Sequence, residues 1–218
     1  MIVSAGFVWA LRHGHIGSNP AQGLKLHAPD NRRELWWTAE ECREVLDACT
    51  DNVRPFVRLL LLTGMRRGEA AQMEWTNFDP AGRTLEVTAE VSKTHEARTV
   101  HLTDAAQELV LSLNPFSGGR IFKRTDGGRF SEDYLRDALN KIRRTLGHKR
   151  ATKLLPKGSG FHITRHTYIT HALASGANIT NLGKQVGQRS ADITSRYAHA
   201  IPQAVRETAE AVGRALAV

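Results

Sequence analysis

Tyr197 lies in the segment running from Gly187 to His199, downstream of Thr63-Gly64-Met65-Arg66-Arg67-Gly68-Glu69 and of His162-Ile163-Thr164-Arg165. Between the two arginine segments, Lys93 sits in Val91-Ser92-Lys93-Thr94. A tyrosine, two separate arginines, a lysine and a histidine–arginine pair are the parts needed to attack a phosphodiester with a side-chain oxygen. They supply a nucleophile, positive charge for the phosphate, and groups that give and take protons.

Each part also has a plainer reading. Arg66 follows Gly64 and opens a helical turn, where an arginine fork can hold two phosphate oxygens. Glu69, three residues on, shares its face and can orient the guanidinium; a surface Arg–Glu pair of little consequence has the same spacing. His162 and Arg165 stand at i and i+3 on one helix and project side by side, so the imidazole can move a proton while the guanidinium neutralises charge. A structural histidine at a helix start fits as well. His166 is expected to face another direction and to be structural. Lys93 falls in a turn between strands, where it can face solvent, touch a backbone phosphate or reach a leaving oxygen. His13, His15 and His27 lack carboxylate companions at ligand spacing. There is no GxxxxGK[ST] loop, and no compact Asp/Glu set suited to two magnesium ions. Phosphoryl transfer in this chain would therefore be free of ATP, metal and cofactor.

The elements that must position these residues follow from the periodicity. Ile2 to Arg12 reads as an amphipathic helix stopping at Gly14, followed by an irregular segment from Gly17 to Arg33. The pattern divides the chain into 1–34, one helix and a linker, and 35–218, a compact domain. Helices are expected at Thr38–Cys49, from Arg54 or Pro55 to Thr63, at Arg66–Met73, Thr103–Ser112 and Ser131–Leu146. Later helices are expected near 162–175, 178–186, 190–198 and 202–216. Thr84–Thr88 and Arg98–Leu102 alternate as strands, and Arg120–Phe122 reads as a third. Lys149 to Lys157 reads as a basic, mobile stretch. The fold class is mainly α with a small antiparallel β-sheet (α+β).

Composition narrows the partner. The 218 residues carry 30 Lys plus Arg against 22 Asp plus Glu, a net charge of +8, which favours a polyanion such as nucleic acid. The 41% hydrophobic content suits a folded domain. Cys42 and Cys49 lack zinc spacing and read as reduced thiols. No apolar run is long enough to span a bilayer, and no amino-terminal secretion signal is evident. A cytoplasmic protein is the expectation.

In combination and order, these motifs resemble the catalytic domain of the tyrosine recombinases, the phage-integrase family, over about residues 35 to 200. The resemblance implies Arg66 and Arg165 as phosphate-binding arginines, Lys93 as general acid for the leaving 5′ oxygen, His162 as proton acceptor and Tyr197 as nucleophile. It also implies double-stranded DNA as partner, a tetramer of protomers on two duplexes, and a 3′-phosphotyrosine intermediate. Two departures stand out. Val186-Gly187-Gln188 occupies the place of the family's Leu-Gly-His, so Gln188 can donate a hydrogen bond to phosphate but cannot shuttle a proton. Residues 1–34 resemble only the last helix of the family's upstream clamp domain and the linker after it. The rival readings are an idle DNA-binding module derived from an integrase and a type IB topoisomerase-like nicking and resealing enzyme. An apolar stripe of Val205, Ala209, Val212 and Leu216 could serve assembly or pack on its own domain.

Overall fold

A computed structural model describes residues 2–21, 35–92, 95–113 and 118–197. The chain divides into two compact units, Met1–Arg33 and Glu34–Val218. In the first, helix α1 spans Ile2–Arg12 and Gly14 follows it with positive φ. The rings of His13 and His15 stack on Trp9, with centroids 4.4 and 5.4 Å away, so these histidines are engaged with an aromatic.

The second unit begins its regular structure with α2, Ala39–Asp47, started by a capping box: Thr38 Oγ1 accepts from the Glu41 N–H, and Glu41 Oε2 accepts from the Thr38 N–H. Helix α3, Arg54–Thr63, follows with proline at its first turn, and α4 is Arg67–Gln72. After a 3₁₀ turn at Trp75–Asn77 come strands β1 (Phe78–Asp79), β2 (Thr84–Val87) and β3 (Arg98–His101). They form one antiparallel sheet in the order β1-β2-β3. Leu85 and Val87 are buried and Val100 pairs with Leu85, so alternation turns one face of the hairpin to the core. Helices α5 (Asp104–Leu111), α6 (Glu132–Leu154), α7 (His162–Ala174), α8 (Ile179–Val186) and α9 (Ser190–Arg196) complete the described unit.

The larger core is built around α3. Phe56 meets Phe122, Phe130 and Phe161 edge to face, with centroids 5.2 to 6.1 Å apart. Trp37 is fully buried and ties distant segments together. Its indole N–H donates to Leu154 O at 2.9 Å, its backbone N–H donates to Thr167 Oγ1 at 3.1 Å, and its carbonyl meets His171 Nε2 at 2.8 Å. A second cluster joins Ile169, Leu173, Leu182, Val186, Ile193 and Tyr197, which brings the C-terminal helices onto α7.

Two expectations are corrected. Arg120–Phe122 is not a strand; Arg120 makes an isolated bridge to Glu74, and Ile121 and Phe122 are buried consecutively in the core. The third strand is Phe78–Asp79, too short for its alternation to register. Nor is the stretch from Lys149 a loose segment, because α6 continues to Leu154 past a non-helical Gly147. Arg150 pairs with Glu44, Lys153 with Glu41 at 2.7 Å, and Ala151, Leu154 and Leu155 are buried. The glycine breaks the periodicity that would have revealed the second half of the helix. The stripe at Val205, Ala209, Val212 and Leu216 and the helix expected near 202–216 lie outside the described residues.

Candidate active site

Glu69 is the centre from which the site is built. It is 2% exposed, and its two oxygens accept four hydrogen bonds. Oε1 accepts from Arg66 Nη1 at 2.8 Å and Arg98 Nη1 at 3.0 Å; Oε2 accepts from the Arg66 backbone N–H at 2.9 Å and Arg98 Nη2 at 2.6 Å. The carboxylate thus grips Arg98 bidentately and orients Arg66 from its own helical turn. Burial alone would raise the Glu69 pKa, but the bonds and charges of Arg98 and Arg66 outweigh it and hold the group below its ordinary value.

Backbone carbonyls complete the guanidinium settings. Arg66 Nη2 donates to Gly187 O at 2.9 Å, and Arg98 Nε donates to Gln185 O at 3.3 Å. Arg165 projects from α7 with 3% exposure. Its Nη1 donates to Gly64 O at 3.0 Å and its Nη2 to Gln188 Oε1 at 3.3 Å. Burial, joined by the charges of Arg66 and Arg98, lowers the Arg165 pKa to about 10, so it stays protonated at neutral pH. Three guanidinium charges against one carboxylate leave an excess of two positive charges in this cluster. A partly buried cluster with that excess is suited to an anion. Arg66 also lines two clefts, of about 880 and 790 Å³; Lys184 and Arg189 line the first, and Arg136 and Arg143 the second.

Two glycines make these close approaches possible. Gly64 ends α3 at φ 66°, ψ 14° and presents its carbonyl to Arg165. Gly187 ends α8 at φ 65°, ψ 54°, and a Cβ on it would lie 2.9 Å from Arg98 Nε. A Gly187→Ala substitution is therefore expected to destabilise the fold by about 1–2 kcal/mol from backbone conformation alone, with further loss as Arg98 shifts from Glu69. Urea unfolding of the two proteins checks this; equal midpoints would contradict it.

Tyr197 caps the C-terminal end of α9, its N–H donating to Ile193 O at 2.8 Å. The residue is 3% exposed and belongs to the second core cluster. The phenol oxygen is hydrogen-bonded to His166 Nδ1. Burial pushes the Tyr197 pKa up to about 12, with Arg196 and Arg165 pulling the other way. His166 is pulled down to about 4 by burial first, then by His162, Arg196 and Arg165.

This corrects the expectation that His166 faces elsewhere. His162 and His166 stand at i and i+4, one helical turn apart, and their rings meet edge-on with centroids 5.0 Å apart. That spacing was the available signal. His162 itself is exposed at the start of α7. Arg98 is the other residue whose place the sequence did not disclose, because only the chain's return through β3 sets it over Glu69. Lys93 lies outside the described residues. Arg66 bonds the Gly187 carbonyl and Arg165 bonds the side chain of the next residue, Gln188, so the two arginines converge on the Gly187–Gln188 turn, and Tyr197 is held by the residue beside Arg165.

The depressed His166 pKa has a consequence for stability. Between its ordinary 6.5 and about 4, the unfolded chain binds a proton on this ring that the folded chain does not. Stability present above pH 6.5 is therefore lost as pH falls toward 4, at up to ~1.4 kcal/mol per pH unit. Urea unfolding from pH 7 to 4 should show a shallower loss for His166→Asn than for the parent protein. An identical slope would refute this contribution.

Residues 36–204 match the phage integrase family, and the chain belongs to that family. It is 25% identical over 194 residues to the integrase of Salmonella phage P22, covering 87% of this chain and 50% of that protein. With the integrase of Escherichia phage P2 it shares 28% identity over 192 residues, covering 88% of this chain and 51% of the relative. The chain thus spans about half the length of these curated relatives. In fold it resembles the Tn1549 transposon integrase solved in complex with transposon right end DNA, with a TM-score of 0.74 at 18% identity over 96% of this chain and 76% of that one. It also resembles the catalytic domain of bacteriophage HP1 integrase, with a TM-score of 0.59 at 24% identity over 81% of this chain and 94% of that domain. Among the described residues, no helix is long and apolar enough to cross a membrane.

Proposed function

We propose that this chain is the catalytic domain of a site-specific DNA recombinase or integrase that works through a 3′-phosphotyrosine intermediate. The observation that carries the reading is the pairing of Arg66 and Arg98 on Glu69 beside the Arg165–Gln188 hydrogen bond, with the Tyr197 phenol tied to the residue next to Arg165. Family membership and the similarity in fold to a DNA-complexed integrase support it. Tyr197 attacks a scissile phosphate of double-stranded DNA in line. Arg66 and Arg165 bind the oxygens where charge gathers, Gln188 donates to a phosphate oxygen, and Lys93 protonates the leaving 5′ oxygen. His162, exposed at the head of α7, is the proton acceptor that the family resemblance implies. The phosphotyrosine ester keeps the energy of the broken bond, so a 5′ hydroxyl can reverse the step without ATP.

Residues 1–34 act in this reading as the last helix of a clamp domain and its linker. The working assembly is a tetramer on two duplexes, in the cytoplasm. A trapping experiment tests the chemistry. Labelled duplexes spanning segments that flank the native gene, nicked so that the cut fragment diffuses away, are incubated with the protein and denatured. A covalent band whose labelled peptide contains Tyr197 is expected. Salt-dependent binding with no covalent product from any duplex would instead identify an idle DNA-binding module.

A further inference from the structure

The Tyr197 phenol is bonded to an imidazole that the family resemblance leaves without a task. Three cationic or titratable groups face the His166 ring: His162 one turn back on α7, Arg165 beside it on the same helix, and Arg196 from α9. The Tyr197 ring lies across from it with centroids 5.6 Å apart and planes at 42°. The half-buried setting, joined by the surrounding charges, keeps the ring neutral, and a neutral imidazole carries one N–H and one lone pair. With the proton on Nε2, the lone pair on Nδ1 points along the existing hydrogen bond to the phenol.

We propose that His166 is a further catalytic residue: it, and not the proton acceptor His162 one turn away, takes the Tyr197 phenol proton directly, through Nδ1. The inference rests on the recombinase reading. As the bond from the Tyr197 oxygen to phosphorus forms, the bond from phosphorus to the 5′ oxygen breaks. The phenol proton passes to Nδ1, and the 5′ oxygen takes its proton from the general acid assigned to Lys93. In the return step a 5′ hydroxyl attacks the phosphotyrosine and gives its proton back to the group assigned to Lys93, the bond from phosphorus to the Tyr197 oxygen breaks, and the departing phenolate recovers the proton from His166. The site also supplies a reason for timing. Without DNA, His162, Arg165 and Arg196 oppose charge on the ring. A phosphate seated on the arginines adds negative charge that offsets them, so the ring becomes a better base when substrate is present.

Two measurements on the full chain decide the matter. Nitrogen-15 NMR of the histidine rings at pH 7, without DNA, should show His166 as the Nε2–H tautomer, with an Nδ1 signal that moves in Tyr197→Phe. An Nδ1–H tautomer would overturn the proposal, because the phenol oxygen would then be accepting. The second is single-turnover cleavage of the nicked duplex that traps the parent protein. His166→Asn can still hydrogen-bond the phenol but cannot take its proton, and covalent product should form about 10²–10⁴-fold more slowly. The acid limb of its pH–rate profile should also disappear. Cleavage by His166→Asn at the parent rate would sink the idea. If that variant does not fold, His166→Gln serves the same comparison. Should the parent protein trap no duplex at all, the recombinase reading falls, while the tautomer still decides whether the phenol donates to His166.

Discussion

Tyr197→Phe should form no denaturation-resistant protein–DNA product while keeping its fold and its affinity for DNA. The substitution removes one oxygen and leaves a ring of the same shape among Ile169, Leu173, Val186 and Ile193. The lost hydrogen bond to His166 costs about 0.5–1.5 kcal/mol, a loss a domain of this size tolerates. Strand cleavage, by contrast, should fall on the order of 10⁶-fold, the scale seen when an enzyme's nucleophile is deleted. Gel analysis of trapped product beside a filter-binding isotherm separates the two effects. Residual covalent product in the variant would mean that another side chain attacks, and the assignment of Tyr197 would fail.

The second large effect is expected at Glu69. Removing its carboxylate in Glu69→Ala leaves Arg66 and Arg98 without the group that accepts four of their hydrogen bonds. Breaking one partner of a buried ion pair costs about 3–5 kcal/mol, because the remaining charges stay desolvated and uncompensated. Arg98 is nearly as enclosed as Glu69, with side-chain exposures of 10% and 2%, so solvent screening gives little relief. Arg66, at 20%, relaxes more easily. Urea unfolding at neutral pH measures the loss. A change below ~1 kcal/mol would show that the cluster is held by packing and not by the carboxylate. The sign with pH follows the lowered pKa of Glu69: the stabilisation is present above its ordinary 4.5 and is lost as pH falls through the depressed value.

Much of this arrangement was legible in the chain because its signals are local. Thr38 followed by Glu40 and Glu41 announced a helix start, and Leu85 and Val87 alternated with polar neighbours across a half-buried strand. Gly64 marked the end of α3, and Glu69 stood within reach of Arg66 on the same turn. Where local signals were broken or absent, the reading failed. Gly147 interrupted α6 and hid its last turns, and the two-residue strand at Phe78 was shorter than any period. The consecutive apolar pair Ile121 and Phe122 looked like a strand because a fully buried loop segment carries the same residues.

The sequence by itself determined the order of the elements, the basic character of the chain and the residue types available for phosphoryl transfer, since these depend on neighbours within a few positions. Only the tertiary structure decided which charges share a carboxylate and which nitrogen meets the nucleophile. Arg98 lies 29 residues from Glu69, and His166 lies 31 from Tyr197. No periodicity reports such distances, because the hairpin and the second core cluster close them by burying apolar surface elsewhere. Once Leu85, Val100, Ile169 and Ile193 are packed, the polar groups beside them have little freedom left. Arg98 then meets Glu69, and Tyr197 meets His166.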